Sequence, residues 1–133
     1  MTRRLVAAML ALACAGAASA QSSGFEGHWA NPKRTTVVNV SRCGGIDYCA
    51  VVLKASAKAQ ANARKGGTQH FVGTEILRVH AAGNGQFKGT AFDPESNMHV
   101  SATVRVLGAG AMEIKGCAFF GLVCEAQRWT KVS

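Results

Sequence analysis

Gly116-Cys117-Ala118-Phe119-Phe120-Gly121-Leu122-Val123-Cys124 joins the last two strand-like runs of a 133-residue chain. Two cysteines bracket an apolar turn there, so a bond between them would close a hairpin end covalently. Upstream, Met98 to Leu107 alternates, with Val100, Ala102, Val104 and Val106 facing one way and Ser101, Thr103 and Arg105 the other. Met112-Glu113-Ile114-Lys115 alternates as cleanly, and Cys124 to Val132 makes the last strand. Period-two alternation is the pattern of a strand buried on one face.

Further upstream, Gln86 to Phe92 forms a strand with Phe87, Gly89 and Ala91 on one side, and Asp93-Pro94-Glu95-Ser96-Asn97 turns it into the next. The Asn84-Gly85 pair favours a tight primed hairpin. From Phe71 a β pattern runs through Glu75 to His80, Thr35 to Val40 is rich in β-branched residues, and Gly24 to Pro32 makes a short first strand carrying Trp29. Cys49 to Leu53 is apolar on both parities and so expected to be buried on both faces. Alanines at 55, 57, 59, 61 and 63 alternate like a strand, yet alanine is the best helix former, and Gly66-Gly67 makes a helix stop. Residues 55–66 therefore read as either a short helix or a loop over one mouth of the fold. About eight strands joined by short turns, without a long crossover helix, predict an all-β fold: a small antiparallel up-and-down β-barrel, closed because closure removes exposed edges.

Residues 1–20 read as an export signal: Arg3 and Arg4, an apolar run from Leu5 to Cys14, then Ala18-Ser19-Ala20 as the cleavage site. Cys14 raises lipid anchoring, but Ala11 stands where such sites want leucine, so cleavage after Ala20 is preferred. Residues 21–133 then form a single periplasmic or secreted domain with no transmembrane segment. Cys43, Cys49, Cys117 and Cys124 remain, an even set in an exported chain. Of three possible pairings, Cys43 with Cys49 and Cys117 with Cys124 is favoured, because each pair encloses a few residues including glycine. Rings this small contribute about 2 to 2.5 kcal/mol each in the chain-entropy picture.

Arg3 and Arg4 leave with the signal, so thirteen Lys and Arg face seven Asp and Glu, net +6. Such a field favours anionic envelope components. Nucleic acid is not expected, since basic and aromatic residues are not interleaved as in a stacking platform. Metal and cofactor binding are not expected either: His28, His70, His80 and His99 are isolated, and no cysteine pair has zinc-knuckle spacing. No nucleophile elbow is present. Asp93 and Glu95 are the acids a carboxylate-dependent hydrolase would use, but an Asp in a turn more often bonds its own backbone, so catalysis is not the favoured reading. Glu75 shares parity with Leu77 and Val79, which would turn it inward toward Arg128 or a ligand; a wet rim position is preferred.

Gly27-His28-Trp29 with Arg128-Trp129 resembles lipocalin-like barrels, where a basic side chain from the end of the barrel covers a Gly-x-Trp tryptophan. The chain from Gly27 to Trp129 also resembles the exported bacterial family named domain of unknown function 2147. The matching pieces are Gly27-His28-Trp29 with Pro32, Cys43-Gly44 with Cys49-Ala50 and Val52, Gly73 before Ile76-Leu77, Gly89-Thr90-Ala91-Phe92-Asp93-Pro94-Glu95, Gly116-Cys117, and Gln127 before Trp129. It departs at Asn62, Phe87, His99 and Glu125, where the family often has Asp-x-x-Asn-Pro, tryptophan, tyrosine and arginine. The resemblance implies export and a compact β fold, and brings no settled activity. By fold analogy the barrel is expected to bind a small apolar or amphipathic ligand lined by Trp29, Phe87, Phe92 and Arg128, with Phe119-Phe120 beside them. The alternative is an envelope interaction or polyanion-binding module using Phe119-Phe120 and the positive field. Oligomeric state is left open.

The exported protein is expected to begin at Gln21 and to gain the mass of four hydrogens on reduction. Intact mass spectrometry before and after reductant checks both, and any other gain excludes two bridges.

Overall fold

A computed structural model of the chain describes residues 24–118 and 121–133. The proposed leader and Phe119-Phe120 lie outside the described residues. Eight strands form a closed barrel in sequence order: β1 (Gly27–Ala30), β2 (Thr36–Gly44), β3 (Asp47–Ala55), β4 (Glu75–Gly83), β5 (Gln86–Asp93), β6 (Met98–Val106), β7 (Ala111–Ala118) and β8 (Val123–Lys131). One helix, α1 (Ala57–Lys65), follows β3. Every neighbouring pair is antiparallel, and β1 closes the barrel on β8. The small antiparallel up-and-down barrel expected from the alternating pattern is therefore the fold.

Turn chemistry places the strands. Asn84 and Gly85 have φ of 56° and 74°, and Gly83 pairs with Gln86, as a two-residue primed hairpin requires. Asp93 accepts hydrogen bonds from Glu95 N at 3.0 Å and Ser96 Oγ at 2.8 Å, so its carboxylate holds the β5–β6 turn. In the β1–β2 turn, Asn31 Oδ1 accepts from the amides of Thr35 and Thr36 at 2.8 and 3.0 Å.

Within residues 55–66 the chain is helical from Ala57 to Lys65. Ser56 Oγ accepts from Ala59 N at the N-cap, Gly66 caps the C-terminus, and Arg64 and Lys65 sit favourably against the dipole in the last turn. The alternating alanines are better read at intervals of four: Ala63 is fully buried, and Ala55 and Ala59 pack against the same core. Phe71 does not begin a strand, although the β pattern is expected to resume there. It lies in the α1–β4 connection and is buried in the core, while β4 starts at Glu75.

Two register shifts explain further departures. On β3, Val52 pairs with Val38 and Lys54 with Val37, so Leu53 is an extra residue without a partner on β2. A bulge breaks the alternation of side chains. Leu53 and Lys54 are consequently both exposed, and β3 is not buried on both faces along its length. Cys43 is likewise extra between Arg42 and Gly44, where it bonds Cys49; Cys117 and Cys124 bond as directly opposed residues of β7 and β8.

The core sits inside the barrel around Trp29, Phe25, Met112, Val38, Val40, Val52, Val79 and Val104, each under 2% exposed. Trp29 Nε1 donates to Phe25 O at 2.9 Å, which satisfies the one polar atom of the ring. The cation above Trp29 is Lys131, with Nζ 5.7 Å from the ring centroid, rather than Arg128. Arg128 pairs across from Glu113 next to the inward pair Trp129 and Met112, so strand parity turns it outward to solvent. Gly27 has φ of 135°, and a Cβ there would stand 2.7 Å from Lys131 Cε and Ser133 O. A glycine two before the tryptophan lets the C-terminal strand close over it.

Trp29→Ala is expected to lower stability by about 3–5 kcal/mol, whereas Arg128→Ala should stay within about 0.5 kcal/mol of the parent. Denaturant unfolding of both variants checks the assignment, and comparable losses would return Arg128 to the tryptophan.

Candidate functional site

The two ends of the barrel differ. At the hairpin end, where the β2–β3, β4–β5 and β6–β7 turns lie, Phe25 stacks on Phe87 with centroids 4.3 Å apart, and Tyr48 stands 5.4 and 5.6 Å from the two rings. All three are buried, and aromatic bulk closes that end. Toward the α1 end the inward positions become small: Gly89, Ala102 and Gly116 pair in succession across β5, β6 and β7, and Ala91 follows Gly89.

The β8 wall is incomplete at that same end. β1 is four residues long and pairs with β8 only at Trp29–Lys131 and Ala30–Thr130, so Val123 to Trp129 has β7 as its sole strand neighbour. Gln127 and Glu125 stand opposite Ile114 and Gly116, on the parity of buried Trp129, yet both are exposed. From Val123 to Arg128 both faces of β8 are exposed, so water reaches its inward-parity positions at this end. Trp129 Nε1 donates to Gln127 Oε1 at 3.0 Å, tying the exposed stretch of β8 to the core.

Of the residues expected to line a ligand, Trp29 and Phe87 are inside the barrel. Phe92 is not beside them: it opposes His99 on the outer parity of β5 and β6, with ring centroids 4.9 Å apart. Arg128 is also on the outside. Position five residues along an alternating strand reverses the face, which is why Phe87 and Phe92 separate. Glu75 is exposed, because Ile76 is an extra residue between Glu75 and Leu77 in the β3–β4 register and breaks their shared parity. Arg78 donates to both Glu75 oxygens at 3.2 Å and to Asp47 at 3.1 Å. Hydrogen bonds to Glu75 first, then Asp47, raise the Arg78 pKa above its ordinary value. This charged group is a surface clasp between β3 and β4. Among the described residues no cluster of three or more His, Cys, Asp and Glu side chains is placed to hold a metal ion, and no helix is long and apolar enough to cross a membrane.

Sequence reasoning missed the outer wall of β1, β2 and β3. A cleft of about 600 Å³ runs there over Ala30, Val37, Leu53 and Val132, with Arg34 and Lys54 at one end and His28 at its edge. A second cavity of about 270 Å³ shares Arg34, Val37 and Lys54 and adds Thr35, Thr36, Ala55 and Ser56. The available signal was the double parity of Cys49 to Leu53, which leaves an apolar residue over for the outer face.

The chain is similar in structure to protein HP1028 from Helicobacter pylori, described as belonging to the lipocalin family, with a TM-score of 0.60, 11% identity, and coverage of 81% of this chain and 82% of that one. At that identity the likeness is one of fold, and it bears out the lipocalin-like barrel. No curated protein sequence matches. The model of the family described as uncharacterized protein conserved in bacteria (DUF2147) matches residues 27–131, and the chain belongs to that family.

Proposed function

We propose that this protein is an exported binding module whose barrel takes a small apolar or amphipathic ligand through the opening beside β8. The observation that carries this reading is the pair Gln127 and Glu125, inward in parity yet exposed, above a wall narrowed to Gly89, Ala102 and Gly116. Eight-stranded barrels of lipocalin type have an interior of the size to hold one small ligand. Trp29 and Phe87 would lie toward its closed end, with the polar lip at Gln127 and Glu125 orienting an amphipathic end. Two disulfides and the leader-like residues 1–20 support an oxidising, extracytoplasmic site of action.

A second reading rests on Leu122 and Val123, 85% and 57% exposed beside the Cys117–Cys124 bond, at the start of the β8 edge that lacks a β1 partner. Exposed apolar residues next to an unpaired strand edge suit contact with an envelope protein.

Native mass spectrometry of protein recovered from its own envelope is expected to show a retained small ligand, and Gly116→Leu, which fills the opening, should weaken its retention at least tenfold. An apo mass with no thermal shift across a panel of fatty acids and phospholipids would reject the binding module. Leu122→Ser with Val123→Ser is expected to leave ligand retention intact; loss of a cross-linked envelope partner in that variant would favour the second reading.

A further inference from the structure

We propose a second binding site on the outside of the barrel, distinct from its interior: the cleft over β1, β2 and β3 binds an acyl chain that ends in a single anionic group.

The β3 bulge creates the site. Because Leu53 is an extra residue in the register, it and Lys54 both face outward beside Val37 of β2. One local distortion therefore sets an apolar side chain next to a cation. Ala30 from β1 and Val132 from the end of the chain extend the apolar floor, and Leu53 and Val132 are 44% and 43% exposed. The larger cavity, about 600 Å³, falls within the range of small-molecule sites.

The polar end is cationic. Arg34 and Lys54 line both cavities, and the smaller one adds Thr35, Thr36, Ala55 and Ser56. None of the seven Asp and Glu residues lines either cavity; Ser133, whose main-chain oxygen accepts from His28 N at 3.1 Å, lines the larger one beside His28, and the carboxylate ion pairs among the described residues belong to Arg78. Arg34 has φ of 58°, a conformation held by the three hydrogen bonds of Asn31 to Thr35 and Thr36. The turn is thus fixed before any ligand arrives, which reduces the ordering cost of binding. Two cations without carboxylate partners at one end of an apolar trough are complementary to an amphipathic anion, its head between Arg34 and Lys54 and its chain along Val37, Leu53 and Val132.

The test is titration of the full exported protein with dodecanoate, dodecanol and inorganic phosphate, followed by amide NMR. Dodecanoate should shift Val37, Leu53 and Val132, and dodecanol should bind at least tenfold more weakly. Arg34→Gly with Lys54→Gln should lose at least tenfold in dodecanoate affinity; glycine tolerates the positive φ at 34 and both side chains are exposed, so the fold should persist. Shifts confined to Ile114, Gly116 and Gln127 would overturn the outer site while leaving the barrel interior as the binding site. Equal affinity for dodecanol, or for phosphate, would overturn the assignment to an amphipathic anion. Concentration-dependent shifts of the same residues without any amphiphile would assign the cleft to a second copy of the chain instead.

Discussion

The barrel depends on the short seam between β1 and β8. Two cross-strand pairs close it, extended by hydrogen bonds between His28 and both Val132 and Ser133. So short a ladder cannot hold a cylinder shut by itself. Trp29 lies immediately under it, fully buried and bonded through its indole to Phe25, and Lys131 reaches over the ring to donate to Gly24 O at 3.1 Å. Opening the seam would expose the largest buried side chain and release the contacts of Phe25 with it. Burying that much apolar surface ties closure to formation of the core.

The same seam explains the exposed edge of β8. A four-residue β1 facing a nine-residue β8 must leave part of β8 without a partner, and the unpaired part falls at the α1 end. There the interior changes from aromatic to small side chains, and Gln127 and Glu125 keep water in reach of inward positions. The water-exposed edge at this end therefore follows from one mismatch in strand length. The helix and the Cys117–Cys124 bond lie at the accessible end, while the aromatic cluster of Phe25, Tyr48 and Phe87 secures the other.

Bulges do the remaining work. Leu53, Cys43 and Ile76 are each extra residues in a ladder. The first moves an apolar side chain to the outer wall, the second brings a sulfur to Cys49, and the third releases Glu75 to the Arg78 clasp. In each case one added residue re-aims side chains that simple alternation would have sent elsewhere.

Residue pattern alone determined the strands, their antiparallel order, the Asn84-Gly85 hairpin and the two cysteine pairs, because alternation, turn conformers and short loops act between neighbours in the chain. The closed barrel was legible for the same reason, and Trp29 and Phe87 were expected inside it by fold analogy. Tertiary structure alone decided that Lys131 rather than Arg128 covers Trp29, that Phe92 faces outward, and that Glu75 leaves the parity of Leu77. It also decided which stretch of β8 lacks a β1 partner and that Arg34 and Lys54 line one cleft with apolar residues. These depend on the register between strands and on the lengths of β1 and β8 compared with each other. A pairing register is set by the partner strand and by closure of the whole cylinder, and no single strand carries that information in its own residues.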